Sequence, residues 1–259
     1  ITDLILPRNI AALKTDLGKY RIEYDTWFLE SALHESGDIQ RILDLLAEKG
    51  ATYEKDGAIW YKASEYSLKW GANKKPKKNG EDSASEDGPK DEVLVRANGI
   101  PTYFAADIAY HYNKFVTRSF DTAIDIWGAD HGGHVARMKG AMDAIGLDGG
   151  KLDIVLMQLV KLMQGGQPVR MSKRTGKAIT LVDLLDEVPI DSARFFFNLR
   201  EPGSQMEFDL DLAVKEDSEN PVYYVQYAHA RICSILRALA EEGVTPSEVA
   251  SVNLSLLTD

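Results

Sequence analysis

The stretch Thr122–Trp127, TAIDIW, runs into Gly128-Ala129-Asp130, then into GHVARMKGAMDAIG at 133–146, then into KLDIVLMQLVKL at 151–162. The first and last pieces are short apolar runs and read as buried strands, the last ending at Gly165-Gly166. The middle piece repeats its apolar residues at helical spacing and stops at Gly146. Strand, helix, strand is the unit of a parallel sheet, so an α/β fold is expected. Ligands of such sheets sit at the carboxyl ends of strands, and Gly128-Ala129-Asp130 stands at one of them.

Upstream, Ile10, Leu13 and Leu17 make a helix stripe within residues 3–20. Asp38 reads as an N-cap, Ile39, Ile42, Leu43, Leu45 and Leu46 as a buried face, and Gly50 as a stop. Asp56-Gly57 between Thr52-Tyr53 and Ile59-Trp60-Tyr61 signals a hairpin. These elements form a small α+β module. Residues 71–92 carry five lysines and six carboxylates with no large apolar residue, which reads as a flexible loop. Lys74, Lys75, Lys77 and Lys78 could touch phosphate, but a solvated linker weighs more. VLVR at 93–96 is a strand, and residues 98–115 run into a helix.

After residue 180 the chain reads as helical. From Pro221 a long amphipathic helix begins, with Asn220 as its cap. Val222, Val225 and Ile232 would take its core side, and Tyr223, Tyr227 and Arg231 a face where unpaired bases can stack.

The chain has 259 residues, a net charge of −10 and 44% hydrophobic residues, which excludes wholesale disorder and is long enough for a sizeable core. One cysteine, Cys233, excludes an internal disulfide framework. No apolar run approaches the length of a membrane span, and the first residues lack the pattern of a signal peptide. A cytoplasmic setting is expected. The start at Ile1 rather than Met hints at a fragment.

The richest chemistry lies in GQPVRMSKRTGKAIT, residues 166–180, where Arg170, Lys173, Arg174 and Lys177 form a cationic, Gly-bounded loop suited to a triphosphate. A P-loop fails, because Met171 stands where glycine is needed and Ala178 replaces the hydroxyl. Asp130, His131 and His134 could be metal ligands, but clustered imidazoles and carboxylates are common without metal, and no metal site is expected. His34 and His111 show no partner in sequence and read as structural or surface residues.

Met171-Ser172-Lys173 resembles the second signature of class I aminoacyl-tRNA synthetases, with Arg170 in place of its first lysine and Arg174 in place of its last serine. Thr102–His111, TYFAADIAYH, Trp127–His131, WGADH, and Met171–Lys177, MSKRTGK, are similar to arginyl-tRNA synthetase motifs in the same order. Asp191–Phe196 and Asn220–Arg231 resemble the junction and first helix of that family's anticodon-binding domain. The similarity covers residues 10 to 240.

The resemblance implies the second half of a Rossmann-like class I nucleotide-binding fold. Residues 1–95 would be a helix plus insertion module, 96–210 the catalytic half with the signature loop, and 211–259 the start of a helical anticodon-binding bundle. Tyr103 and Asp107, one helical turn apart, would bind the arginine side chain. Gly128, Asp130 and His131 would sit against the adenosine of ATP. Lys173, with Ser172, Met171 and Arg170, would stabilise the leaving pyrophosphate. Tyr223, Tyr227 and Arg231 would touch tRNA. The parent would use ATP and Mg2+ to join L-arginine to tRNA(Arg), as a monomer without membrane attachment. His131-Gly132-Gly133-His134 fits the H-x-G-H of the first signature, but it follows the insertion module, which is the wrong place. This segment would therefore lack the first signature and be inactive alone. The alternative is a non-catalytic module that only binds tRNA or a partner.

Overall fold

The computed structural model describes residues 2–71, 90–169, 179–245, 247, 248, 251–253 and 255. Contacts divide the chain into two units, one of residues 24–159 and 202–205, the other of 1–23, 160–201 and 206–259. These units interleave along the chain and cross the expected borders at residues 95 and 210. Helix α1 (Thr2–Lys19) opens the second unit and leaves Leu4, Ile5, Leu6 and Leu13 exposed.

The first unit begins with α2 (Ser31–Glu35) and α3 (Asp38–Glu48). Asp38 is the first helical residue rather than the N-cap. Gly37 caps the helix with φ +75°, and Ser36 Oγ donates to Asp38 Oδ2 at 2.8 Å. The carboxylate still favours the helix there through the partial positive charge of the first turn. Strands β1 (Thr52–Lys55) and β2 (Ala58–Tyr61) pair across Asp56 and Gly57, both at positive φ, the mark of a tight hairpin turn that follows strand twist. After α4 (Ala63–Tyr66), β3 (Glu92–Val95) adds antiparallel to β2.

Helix α5 (Tyr103–Tyr112) continues into a π-helical turn at Asn113–Thr117. Then comes the expected unit: β4 (Ala123–Gly128), α6 (Gly132–Ala144) and β5 (Leu152–Met157), the strands parallel with Ala123 opposite Leu152 and Gly128 opposite Met157. Ile42, Leu46, Tyr61, Leu94, Ile108, Met138, Met142 and Leu152 fill one core beneath them. Gly140 and Gly149 allow close packing: a Cβ on Gly140 would lie 2.7 Å from the Tyr66 carbonyl oxygen, and one on Gly149 2.4 Å from that of Lys139.

Two strand expectations change. β4 is covered on one face only, since Ile124 and Ile126 are 65% and 67% exposed. The apolar run 151–162 is not one strand. It breaks after Met157, and β6 (Val160–Gln164) belongs to a sheet of the other unit. From Ile154 to Leu162 only Gln158 and Lys161 interrupt the apolar residues, so hydrophobicity alone hides the break.

In the second unit, β6 turns at Gly165-Gly166 into antiparallel β7 (Gln167–Val169). Thr180 caps α7 (Leu181–Glu187) reciprocally with Asp183, and α8 (Ile190–Phe197) follows. The chain is not wholly helical after residue 180, because β8 (Met206–Asp209) pairs parallel with β6 before α9 (Leu210–Ala213). Phe208, fully buried, has Phe196 and Phe197 rings at 5.4 and 5.1 Å. Alternation of Met206 and Phe208 with Glu207 and Asp209 was the overlooked signal. Asn220 Oδ1 accepts from the Val222 N–H at the start of α10 (Pro221–Glu241). Val222 is buried, but Val225 and Ile232 are exposed rather than in a core. No described helix is long and apolar enough to cross a membrane.

Candidate functional site

Helix α5 is seated by Thr102, whose hydroxyl donates to the Val93 carbonyl at 2.7 Å. Phe104, Ala105, Ile108 and Ala109 bury one face. The opposite face carries Tyr103 and Asp107. Tyr103 is 76% exposed and does not line the recess that Asp107 faces. That recess is a cavity of about 410 Å³. Ala106, Asp107 and Tyr110 form one wall, and the stretch from Tyr24 to Glu30, which precedes α2, forms much of the other. Phe28 stacks on Tyr110 at 4.4 Å, and Trp27 meets Tyr24 edge-on at 5.6 Å. Loss of hydration raises the Asp107 carboxyl above its ordinary range. His111 and His134 oppose the rise, while Glu30 and Asp125 add to it.

Behind Asp107 lies a charge network. His111, 3% exposed, reaches Asp125 Oδ2 through Nε2 at 2.6 Å and the Asp107 carbonyl through Nδ1 at 2.7 Å. Both ring nitrogens thus have an oxygen within hydrogen-bond distance. Lys114 donates to Asp125 Oδ1 at 2.6 Å and lies over the Tyr110 ring. Burial opposes ionisation of Asp125, but the His111 and Lys114 contacts outweigh it and hold the carboxyl down at about 2. The network joins the third turn of α5 to the middle of β4. His111 is thus a partnered core residue. Its partner lay too far along the chain to be read from sequence.

At the end of β4, Gly128, Asp130 and His131 are brought together. A Cβ on Gly128 would lie 2.4 Å from Asp130 Oδ1. Asp130 and His131 are exposed, with 3.7 Å between carboxylate and imidazole, and the His131 and His134 rings are 6.0 Å apart. Among the described residues no three His, Cys, Asp or Glu side chains are grouped to hold a metal ion. In the other unit, Tyr223 and Tyr227 are exposed on α10, and the Arg231 guanidinium sits 5.8 Å from the Tyr227 ring centre. Arg170, Met171, Ser172 and Lys173 lie outside the described residues.

Sequence reasoning missed the Tyr24–Glu30 wall. Its signal was Tyr24, Trp27 and Phe28 beside Asp25 and Glu30, aromatic and acidic residues concentrated between two helices.

No family model matches the chain. An arginine–tRNA ligase of Caldanaerobacter subterraneus subsp. tengcongensis is 57% identical over 254 residues, covering 98% of this chain and 42% of that protein. One of Acetivibrio thermocellus is 52% identical over 257 residues, covering 99% and 42%. The chain therefore spans about two fifths of the length of these curated relatives. A solved Campylobacter jejuni structure, provisionally assigned as an arginyl-tRNA synthetase, matches with a TM-score of 0.77 at 33% identity, over 97% of this chain and 51% of that one. Thermus thermophilus arginyl-tRNA synthetase shares the fold at a TM-score of 0.72 and 20% identity, over 99% of this chain and 48% of that one. With such identity along almost its whole length and the same partial class I fold, the chain belongs to the arginyl-tRNA synthetase family.

Proposed function

We propose that this chain supplies the arginine pocket and the signature loop of an arginine–tRNA ligase. The reaction joins the arginine carboxylate to the α-phosphate of ATP, releasing pyrophosphate, and then passes arginine from the adenylate to tRNA(Arg). The observation that carries this reading is Asp107, a carboxylate with aromatic neighbours and no ion-pair partner among the described residues. A guanidinium matches it, because a planar, permanently charged fork can donate to carboxylate oxygens while its faces lie on aromatic rings.

Asp107 takes the role of fixing the arginine side chain, with Tyr103 at the mouth. Gly128, whose missing Cβ leaves room for the Asp130 carboxylate beside it, takes the adenosine together with Asp130 and His131. Lys173 takes the charge of the departing pyrophosphate, with Arg170 adding charge and Met171 and Ser172 shaping the loop. Tyr223, Tyr227 and Arg231 take the tRNA contact. Mg2+ neutralises ATP phosphate charge when bound, and it usually needs few protein ligands. The described residues offer no dedicated cage, so none is assigned to it. The full-length enzyme acts as a cytoplasmic monomer. The test is ATP–pyrophosphate exchange and tRNA charging by the full-length gene product, with each of the amino acids offered in turn. Exchange and charging dependent on arginine alone are expected. Dependence on another amino acid, or none, overturns the reading.

A further inference from the structure

The covered face of β4 reads Ala123, Asp125, Trp127, a carboxylate between two apolar side chains that pack on the core. Its two oxygens are divided between partners on the other side of the packing. His111 Nε2 lies 2.6 Å from Oδ2, and Lys114 Nζ lies 2.6 Å from Oδ1. Even Lys114, the most open of the three side chains, is only 15% exposed. Lys114 stands in the π-helical turn that follows α5, a rare geometry that is frequent at functional sites. A buried ion pair is often no more stabilising than apolar residues of the same volume. What it adds here is direction. Apolar contacts tolerate a small shift of a helix over a strand, whereas short hydrogen bonds hold one register.

The ends of this link lie beside the two halves of the ligase site. His111 Nδ1 is 2.7 Å from the carbonyl of Asp107, one turn earlier on α5. Asp125 precedes Gly128 by three residues on the same strand. Resting on the arginine reading above, we propose that His111 is a positioning residue. Its contact with Asp125 fixes α5, which holds the arginine side chain, against β4, whose end holds the adenosine. The first step needs both at once. An arginine carboxylate oxygen bonds to the α-phosphorus of ATP, and the bond to pyrophosphate breaks, its electron pair leaving with pyrophosphate. Misplacing the reacting atoms by about 1 Å can cost about 100-fold in rate. Neither substrate needs the link in order to bind, because each is held by its own element. The link therefore acts on the rate of adenylate formation and not on affinity.

The experiment is arginine-dependent ATP–pyrophosphate exchange by the full-length protein with tRNA(Arg) present, the rate expressed per arginine-binding site counted by equilibrium binding. Two amides separate the two ring nitrogens. The amide nitrogen of His111→Gln reaches to where Nε2 stood and can donate to Asp125. That of His111→Asn reaches only to where Nδ1 stood and leaves Asp125 Oδ2 without its partner. His111→Asn should lower kcat by about tenfold or more with KM for arginine and ATP nearly unchanged, and His111→Gln should restore most of it. Transfer to tRNA(Arg) from supplied arginyl-adenylate should stay near the wild-type rate in both, because arginine and adenosine are already joined. Equal kcat in the two variants overturns the inference, since the ring would then only fill the core. So does a His111→Asn loss that falls in KM, or one that slows transfer as much as activation. Asp107→Ala tests the reading beneath. If it binds arginine as the wild type does, the pocket reading fails and the inference with it. If it loses arginine while the two His111 variants turn over alike, the pocket stands and only the positioning role falls.

Discussion

Asp107 and Asp125 are opposite solutions to the same problem. In both, lost hydration opposes the charge, although Asp125 is nearly buried and Asp107 stays exposed at the edge of its recess. Asp125 is met by His111 and Lys114, and its carboxyl is held at about 2. Asp107 has no such partner among the described residues, and its carboxyl is raised. A lowered carboxyl marks an acid whose partners outweigh its lost hydration, and a raised one an acid whose partners do not. Asp125→Asn should therefore destabilise the protein by about 3 kcal/mol, because it leaves the Lys114 ammonium without its carboxylate and the His111 ring without its partner in the interior. Urea unfolding of the full-length protein checks this. Asp107→Ala should leave the urea midpoint nearly in place but weaken arginine by about 2 kcal/mol or more, seen as a raised KM in exchange. Equal KM would remove Asp107 from the pocket. Lys173→Ala should lower kcat for activation with little change in the arginine KM, the signature of a group that acts on charge developing in the transition state.

Among the elements, local signals decided legibility. The hairpin at Asp56-Gly57, the cap and proline at Asn220-Pro221, and the strand–helix–strand from Ala123 to Met157 were readable because each is dictated by neighbouring residues. What was not readable depends on partners distant in sequence. β8 hides among helices because four residues make a weak period. The split between β5 and β6 leaves no mark in hydropathy. That Asp107 stands on a helix was legible, whereas the Tyr24–Glu30 wall and the His111–Asp125 link exist only once α5 packs. Helix α6 shows the same dependence at Gly149, which lies against its Lys139 carbonyl. Gly149→Ala should cost about 1–3 kcal/mol, since backbone and the Trp70 ring stand where the methyl must go. Gly18→Ala, in open space on α1, should be neutral or stabilising by up to about 1 kcal/mol. Equal effects at the two sites, measured by urea unfolding, would refute the packing account.

At the scale of the whole molecule, acid sensitivity has several sources in the unit of residues 24–159. In Asp91, Asp125 and Asp143 burial disfavours the charge, but hydrogen bonds outweigh it, from Ser64 for the first, His111 and Lys114 for the second, and Gly149, Trp70 and Lys69 for the third. Groups with lowered folded values stabilise the fold above the ordinary carboxylate range, and that contribution is lost as pH falls through the lowered values. Asp107 runs the other way, since its protonation relieves a penalty as pH falls through its raised value. Three outweigh one, so stability should drop between about pH 4 and pH 2. A urea midpoint that rises over that window would contradict the assignment.

The division into two units with separate cores also determines what a spectroscopist would see. Trp27, Trp60, Trp70 and Trp127 are the four tryptophans of this chain, and all fall in the unit that holds Asp107. Cys233, the sole thiol, is partly exposed on α10 in the other. Within this chain, intrinsic indole emission therefore follows the unit of residues 24–159 alone, while a fluorophore attached to Cys233 follows α10. Two optical channels can thus be assigned to two halves of one chain without introducing a substitution.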